Sequence, residues 1–209
     1  MNALVFIFDY SFDNEPTFST PFMDFQQPIP KLFYLFDSGT PFKQCQVCNR
    51  DLITYDKPYI IEKAIRRYPK FGTEDVVFEY AICMDCAEKQ RQQMSTESMF
   101  RMEEYWTDRF NPAEHLQHSE SVPLEYLMDR CALTGERRSQ MEEYQIAALC
   151  QGSSLVPGQP PYLVGGMAME QIMELMSNET MDQWNRFRDD FLGPSPEISD
   201  LLKGRPVLI

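Results

Sequence analysis

The sequence contains two closely spaced pairs of cysteines, Cys45-Gln-Val-Cys48 and Cys83-Met-Asp-Cys86. Two thiolates separated by two residues lie on one tight turn, so both sulfur atoms can reach the same tetrahedral cation at about 2.3 Å. Two such pairs complete a shell of four thiolates and leave no position for water, which is the arrangement of structural sites. Soft thiolate ligands favour zinc or an iron centre over magnesium or calcium. We therefore predict one structural Zn²⁺ per chain, with a redox dithiol or two unrelated buried pairs as the alternatives.

The residues between the two cysteine pairs predict a β-hairpin. Residues 59–68 and 76–80 are rich in β-branched and aromatic side chains, and Pro69-Lys-Phe-Gly72 interrupts them with turn-forming residues. After Cys83 the composition changes to good helix formers in residues 87–93. We expect the second cysteine pair to lie in the first turn of this helix, where free N–H groups and a partial positive charge stabilise thiolates.

The order of knuckle, hairpin and helix over residues 45–94 resembles the treble-clef zinc fingers. The resemblance rests on Cys45, Cys48, Cys83 and Cys86 and on the order of the elements. It implies a fold and a structural zinc ion. It implies no activity, because treble clefs serve many unrelated functions.

The chain also contains an internal repeat of four collinear blocks. Residues 32–37, 45–48, 79–86 and 94–99 match residues 124–129, 131–134, 143–150 and 176–181. The offsets of 92, 86, 64 and 82 residues require insertions, and these fall where loops are expected. We therefore predict an α+β protein made of two duplicated treble-clef-like modules (knuckle, β-hairpin and helices), of which the second is degenerate.

By this alignment the second module keeps Cys131 and Cys150 and has lost two ligands, at Thr134 and Ala147. One interpretation is a metal-free module whose former centre is packed with apolar side chains. The alternative is a second metal site, whose ligands would be His115, His118, Cys131 and Cys150. The two histidines lie upstream of the repeat, in a polar stretch typical of a linker. We expect the metal-free module.

The repeat and the composition together divide the chain into five parts. We predict an acidic, aromatic N-terminal arm (1–29), a zinc-binding module (30–110), a linker (111–122), a degenerate metal-free repeat (123–192) and a C-terminal tail (193–209). Apolar residues at helical spacing after each finger predict helix faces that pack in the core. Methionines crowd residues 167–176, and such flexible side chains suit either core filling or an adaptable peptide-binding surface.

Charge and cysteine usage narrow the functional classes. The 209 residues carry a formal net charge of −13, which argues against broad, nonspecific binding to nucleic acid or to an anionic membrane surface. The apolar stretch at the start of the chain is interrupted by Asp9, and it is too short for a signal peptide or a membrane span. We expect a protein of the reducing cytoplasm, where six cysteines point to metal ligands rather than disulfides.

We expect a zinc-stabilised protein–protein interaction or adaptor module with a protein partner, and no catalytic residues. One alternative is a nucleic-acid-associated protein that uses the basic hairpin cluster Lys63, Arg66, Arg67 and Lys70 for nucleic-acid or anion contact. A second alternative is a thiol- or metal-dependent enzyme built on Cys131 or Cys150 with a histidine, although the sequence offers no phosphate-binding glycine loop and singles out no carboxylate pair.

Overall fold

The structure is a computed structural model that describes residues 27–111, 114–115, 117 and 123–193. Most of the expected N-terminal arm and linker, and the tail beyond Gly193, therefore lie outside the described residues. Within them the chain forms a mixed α/β fold around one five-stranded antiparallel sheet. None of the helices in this part of the chain has the length and apolar character needed to cross a lipid bilayer.

The sheet has two central strands, one from each half of the chain. Its strands are β1 (Tyr59–Tyr68), β2 (Thr73–Cys83), β3 (Glu143–Gln151), β4 (Ser154–Leu155) and β5 (Tyr162–Gly165). β1 pairs with β2 on one side and with β3 on the other, and β3 also pairs with β5 and β4. Both halves thus contribute to a single hydrophobic core, with the junction between them at the β1–β3 pairing.

β1 and β2 form the hairpin expected between the cysteine pairs. The turn at residues 69–72 ends at Gly72, whose φ of 63° lies in the left-handed region that glycine adopts without steric cost. The register runs from Tyr59 opposite Cys83 to Tyr68 opposite Thr73, with one irregularity after Ala64. The hairpin thereby delivers Cys83 at the base of the sheet, beside the start of the following helix.

Two pairs of consecutive helices follow the outer strands β2 and β5. The helices are α1 (Met84–Arg91), α2 (Thr96–Thr107), α3 (Leu124–Leu127), α4 (Gly166–Glu174) and α5 (Asn178–Phe191), with short 3-10 turns at Lys31–Phe33 and Arg138–Gln140. α1 follows β2 directly and α4 follows β5 directly. The expected methionine-rich helix is α4, which buries Met169 and exposes Met167.

The two faces of the sheet are covered differently. On one face the rings of Tyr80 and Phe187 lie 6.0 Å apart, and those of Trp106 and Tyr162 lie 5.7 Å apart, so α2 and α5 pack on this face. On the other face, Lys63 Nζ donates to the carbonyl oxygen of Tyr34. The segment that precedes β1 therefore lies on the second face. The expected metal ligands Cys45 and Cys48 belong to this segment.

α2 and α5 meet at a cluster of four hydroxyl groups. Ser95 caps α2 by accepting from the Ser98 N–H at 3.1 Å, and Ser177 caps α5 by accepting from the Thr180 N–H at 3.3 Å. The cluster also joins the two helices: the Ser95 N–H donates to Thr180 Oγ1 of α5, and the Ser177 N–H donates to Ser98 Oγ of α2. Each helix start is therefore satisfied partly by the other helix.

Removal of one hydroxyl from this cluster should cost more than an ordinary cap. We expect Ser95→Ala and Ser177→Ala each to lower the free energy of unfolding by about 1–2 kcal/mol, because each leaves buried donors without an acceptor. The double variant should lose less than the sum, since both hydroxyls belong to one network. Urea denaturation measures this, with the exposed Ser153→Ala as control. Strict additivity would contradict the shared network.

Buried tyrosines make the fold sensitive to high pH. Burial, together with the Glu74 carboxylate that accepts from its hydroxyl, raises the pKa of Tyr144 to about 12. Because the unfolded value is about 10, the folded chain binds more protons between pH 10 and pH 12. This contribution to stability is complete below pH 10 and is lost as the pH rises through 12.

Urea denaturation at pH 9, 10 and 11 should therefore show falling stability, with a shallower fall in Tyr144→Phe. The exposed Tyr126→Phe serves as the control and should keep the native slope. An unchanged slope in Tyr144→Phe would exclude Tyr144 as a contributor.

Candidate metal centre

The four cysteines of the two pairs come together in space. The Sγ atoms of Cys45, Cys48, Cys83 and Cys86 all lie within 4.8 Å of one another. The Cys48 and Cys83 Sγ atoms are 3.8 Å apart. A tetrahedron with four zinc–sulfur bonds of about 2.3 Å has sulfur–sulfur edges of about 3.8 Å. The donor set and its spacing thus fit a four-coordinate metal ion.

Cys45 and Cys48 are held by a tight knuckle. The Asn49 N–H donates to the Cys45 carbonyl at 2.8 Å, and the Cys45 N–H donates to the Arg50 carbonyl at 2.9 Å. Asn49 has a φ of 56°, in the left-handed region that asparagine tolerates better than most residues. The knuckle also docks on β2, because the Gln46 N–H donates to the Ala81 carbonyl at 2.8 Å. This bond places Cys45 beside Cys83.

Cys83 and Cys86 lie at the start of α1, as expected. Cys83 has extended backbone angles just before the first helical residue, and Cys86 lies in the first turn. The Cys83 N–H donates to Cys45 Sγ at 3.4 Å. Free N–H groups and the positive end of the helix dipole therefore face the sulfur atoms.

The electrostatics of the four thiols favour a bound cation. Burial, with the neighbouring Cys45 thiol, raises the pKa of Cys83. Burial, with hydrogen bonds that the Cys86 thiol donates to the neighbouring thiols, also raises the pKa of Cys86 above its ordinary value. For Cys48 burial acts in the same direction, yet hydrogen bonds from the Arg50 N–H and the other thiols outweigh it and lower its pKa. Without a cation the cluster cannot hold four thiolates, whereas a dication stabilises all four.

An ion-pair network around Asp85 supports the metal centre from outside, and the sequence analysis did not identify it. Asp85 Oδ2 accepts from Arg50 at 2.7 Å, and Asp85 Oδ1 accepts from Lys57 at 2.9 Å. Lys57, and next Arg50, hold the pKa of this carboxyl well below its usual range. The network joins the knuckle to α1. The only sequence signal was an acid inside the second cysteine pair.

A second knuckle repeats the hydrogen bonds of the first. The Cys131 N–H donates to the Glu136 carbonyl at 2.8 Å, and the Gly135 N–H donates to the Cys131 carbonyl at 2.9 Å. The Ala132 N–H donates to the Leu163 carbonyl at 2.7 Å. The Gly165 N–H donates to Cys131 Sγ at 3.3 Å. Taken in this order, the four bonds correspond to those that the N–H groups of Cys45, Asn49, Gln46 and Cys83 donate in the first centre. Gly135 has a φ of 69°, in the same left-handed region as Asn49.

The matching bonds correct one block of the sequence alignment. Residues 79–86 were aligned with residues 143–150, but residues 143–150 belong to β3, which occupies a central position like β1. Tyr59 lies opposite Cys83 in one hairpin, and Tyr144 lies opposite Gly165 in the other. The geometric counterpart of Cys83 is therefore Gly165 rather than Ala147. This block of the alignment is wrong because β2 and β3 contain similar residues, Glu79-Tyr80-Ala-Ile82 and Glu143-Tyr144-Gln-Ile146, although they occupy different positions in the sheet.

Among the described residues of the alternative second metal site, the structure does not bring Cys131 and Cys150 together. Cys131 lies against Gly165, which pairs with Tyr144, and Cys150 lies six residues further along β3. Six residues at about 3.3 Å each place Cys150 about 20 Å along β3 from Tyr144, the residue that pairs with Gly165 beside Cys131. His115 Nε2 lies 3.1 Å from the Pro161 carbonyl oxygen. His118 lies outside the described residues.

Cys150 is fully buried, and this burial raises the pKa of its thiol to about 12. A thiol with so high a pKa is a poor nucleophile at neutral pH.

Three members of the basic hairpin cluster form ion pairs within the chain. Lys63 Nζ lies 2.9 Å from Glu79 and is almost fully buried. Arg66 pairs with Glu143 at 2.6 Å, and Arg67 pairs with Glu74 at 2.9 Å. Lys70 lies exposed in the hairpin turn. The cluster is thus largely neutralised by neighbouring strands.

No family model, no curated protein and no solved structure matches the chain.

Proposed function

We propose that the chain is a zinc-stabilised protein–protein interaction or adaptor module without catalytic activity, and that it works in the reducing cytoplasm. It consists of two treble-clef-like modules of common origin, the second degenerate and free of metal. The single observation that carries the proposal is the cluster of four thiols with the spacing of a tetrahedral zinc site.

The identity of the ion follows from the ligands. Four thiolates select soft or borderline cations, and four-coordinate tetrathiolate sites are typical of structural zinc. When bound, the ion supplies cross-linking between the knuckle and α1, and the chain's own residues provide the rest. Gln46 and Cys83 dock the knuckle on the sheet through their N–H groups, and Arg50 and Lys57 fasten it to Asp85.

Exposed apolar side chains support the interaction role. Phe71 is 77% exposed at the turn of the β1–β2 hairpin, and Met167 is 63% exposed on the methionine-rich α4. Single exposed apolar residues are common, but aromatic residues and methionine are enriched where proteins bind one another. We propose that the partner contacts α4 and the hairpin turn.

The ion pairs of Lys63, Arg66 and Arg67 favour the adaptor over the nucleic-acid alternative. A phosphate backbone would have to displace Glu79, Glu143 or Glu74 from each of them, in a chain whose net charge is −13. The neutralised cluster leaves Lys70 as the cation most open to an anionic partner.

A zinc-loaded, tagged chain used as bait in native lysate tests the proposed role. We expect a stoichiometric protein partner that is retained after nuclease treatment and is lost after the zinc is chelated. Met167→Asp should weaken its capture at least tenfold, because a charge then replaces an apolar contact. Glu170→Ala, an exposed change on the same helix, is the matched control and should leave capture intact.

The outcomes separate the candidate functions. Capture that disappears with nuclease would favour nucleic acid and overturn the adaptor. A partner that binds Met167→Asp and Phe71→Asp as well as the native chain would refute the proposed surface.

A further inference from the structure

The second knuckle has the geometry of a metal site but lacks the ligands. Its four hydrogen bonds match those that position Cys45 and Cys83 in the first centre. α4 follows Gly165 just as α1 follows Cys83, and both residues have extended backbone angles before the helix. The two knuckles and the helix starts beside them thus have the same backbone geometry.

The correspondence assigns a second set of four positions. Cys131 occupies the position of Cys45, and Thr134 that of Cys48, because each pair lies at the same place on its knuckle. Gly165 occupies the position of Cys83, and Ala168 that of Cys86 in the first turn of the helix. The second set therefore retains one thiol.

Met141 occupies the space beside Gly165. A Cβ atom added at Gly165 would lie 3.0 Å from Met141 Sδ and 3.1 Å from its Cε. Met141 is 4% exposed and belongs to the core. Where the first module has the Cys83 side chain, the second has the thioether of Met141. A cysteine at residue 165 is therefore incompatible with Met141 in its present conformation.

From this geometry we infer that Cys131, Thr134, Gly165 and Ala168 mark a former four-thiolate zinc site, closed by Met141, which can be restored. The inference rests on the proposed common origin of the two modules. It differs from the repeat alignment, which placed the lost ligands at Thr134 and Ala147 and kept Cys150. Gly165 lies next to Cys131 Sγ, to which its N–H donates at 3.3 Å, and Ala168 follows in the first turn of α4.

Restoration of the ligands is the first test. The variant Thr134→Cys/Gly165→Cys/Ala168→Cys/Met141→Ala should bind two zinc ions per chain, whereas the native chain should bind one. Met141→Ala alone should still bind one, because it introduces no ligand. Metal content by mass spectrometry of the intact folded chain measures both. A folded variant that still binds a single zinc in its first centre would overturn the inference.

A second test does not require the removal of Met141. In Thr134→Cys/Ala168→Cys the two introduced thiols should lie within reach of each other, because the Sγ atoms of Cys48 and Cys86 are within 4.8 Å in the first centre. Oxidised glutathione should join residues 134 and 168 in a disulfide, located by peptide mapping. Thr134→Cys/Glu170→Cys, with the second thiol on the exposed side of α4, should cross-link at least tenfold more slowly. Equal rates in the two variants would overturn the inference.

The design separates this inference from the proposed function. If the first centre binds no zinc, the native chain contains none, and the restored variant still reports on the second set by binding one ion. If the first centre binds zinc and the second set is misassigned, the native chain and the restored variant both contain one ion.

Discussion

Cys83→Ser should remove the zinc and unfold the first half of the chain. A structural zinc site contributes an apparent binding free energy on the order of 10–16 kcal/mol at neutral pH, and a domain of this size is typically stable by only about 5–15 kcal/mol. The hydroxyl is a poor zinc ligand, and the three remaining thiols, of which Cys45 and Cys86 are buried, would lose the cation that stabilises their charged forms. The loss should reach β1, β2 and α1 because the site joins the knuckle to the end of the hairpin.

Hydrogen exchange followed by mass spectrometry measures this effect segment by segment. Residues 45–94 of Cys83→Ser should exchange as an unfolded chain. Cys150→Ala is the matched control: it removes a buried thiol that lies outside the cluster, and it should retain one zinc and native protection. A metal-free Cys83→Ser chain that melts at the native temperature would contradict a structural role for the metal.

Lys63→Met should destabilise the fold by about 3 kcal/mol. The side chains of Lys63 and Glu79 are 5% and 17% exposed, and removal of one partner from a buried ion pair typically costs about 3–5 kcal/mol. We expect the lower end because Glu79 still accepts from the Phe36 N–H at 2.8 Å. The pair holds the segment at residues 34–36 on the sheet, since Lys63 also donates to the Tyr34 carbonyl.

A double-mutant cycle measures the coupling of this pair. Lys63→Met/Glu79→Gln should be more stable than the sum of the single losses by about 1–3 kcal/mol, because the uncompensated charge is gone. Arg66→Met is the matched control, since both side chains of the Arg66–Glu143 pair are 31% exposed and exposed pairs contribute about 1 kcal/mol or less. Similar losses for Lys63→Met and Arg66→Met would show that burial of the pair adds nothing.

The sequence predicts the metal centre well because its determinants are local. Each cysteine pair lies on one turn, the hairpin between the pairs is rich in β-branched and aromatic residues on either side of a Pro–Gly turn, and helix-forming residues follow Cys86. These features place the four thiols without knowledge of the rest of the chain. The identity of the ion and the family of the finger stay predictions.

The way the two halves join cannot be predicted from local sequence. β1 and β3 pair directly, with Glu62 opposite Ala147, so the two halves share one sheet. Nothing in residues 59–68 identifies β3 as a partner, because backbone hydrogen bonds would allow β1 to pair with any apolar strand. The block that aligned residues 143–150 with residues 79–86 fails for the same reason.

The partners of the basic hairpin cluster show the same limit. The acids near the cluster along the chain are Glu62, Glu74, Asp75 and Glu79, and of these Glu74 and Glu79 form ion pairs with it. Glu143, which pairs with Arg66, is 77 residues away and arrives only through the β1–β3 register. Long-range pairing therefore decides which surface charges remain available to a partner.

X-ray absorption at the zinc edge of the purified native chain tests the central claim most directly. The account predicts one zinc per chain with four sulfur neighbours at about 2.3 Å and no nitrogen or oxygen ligand. A chain purified in the presence of zinc that holds no metal, or whose zinc has a mixed shell with nitrogen or oxygen, would contradict it.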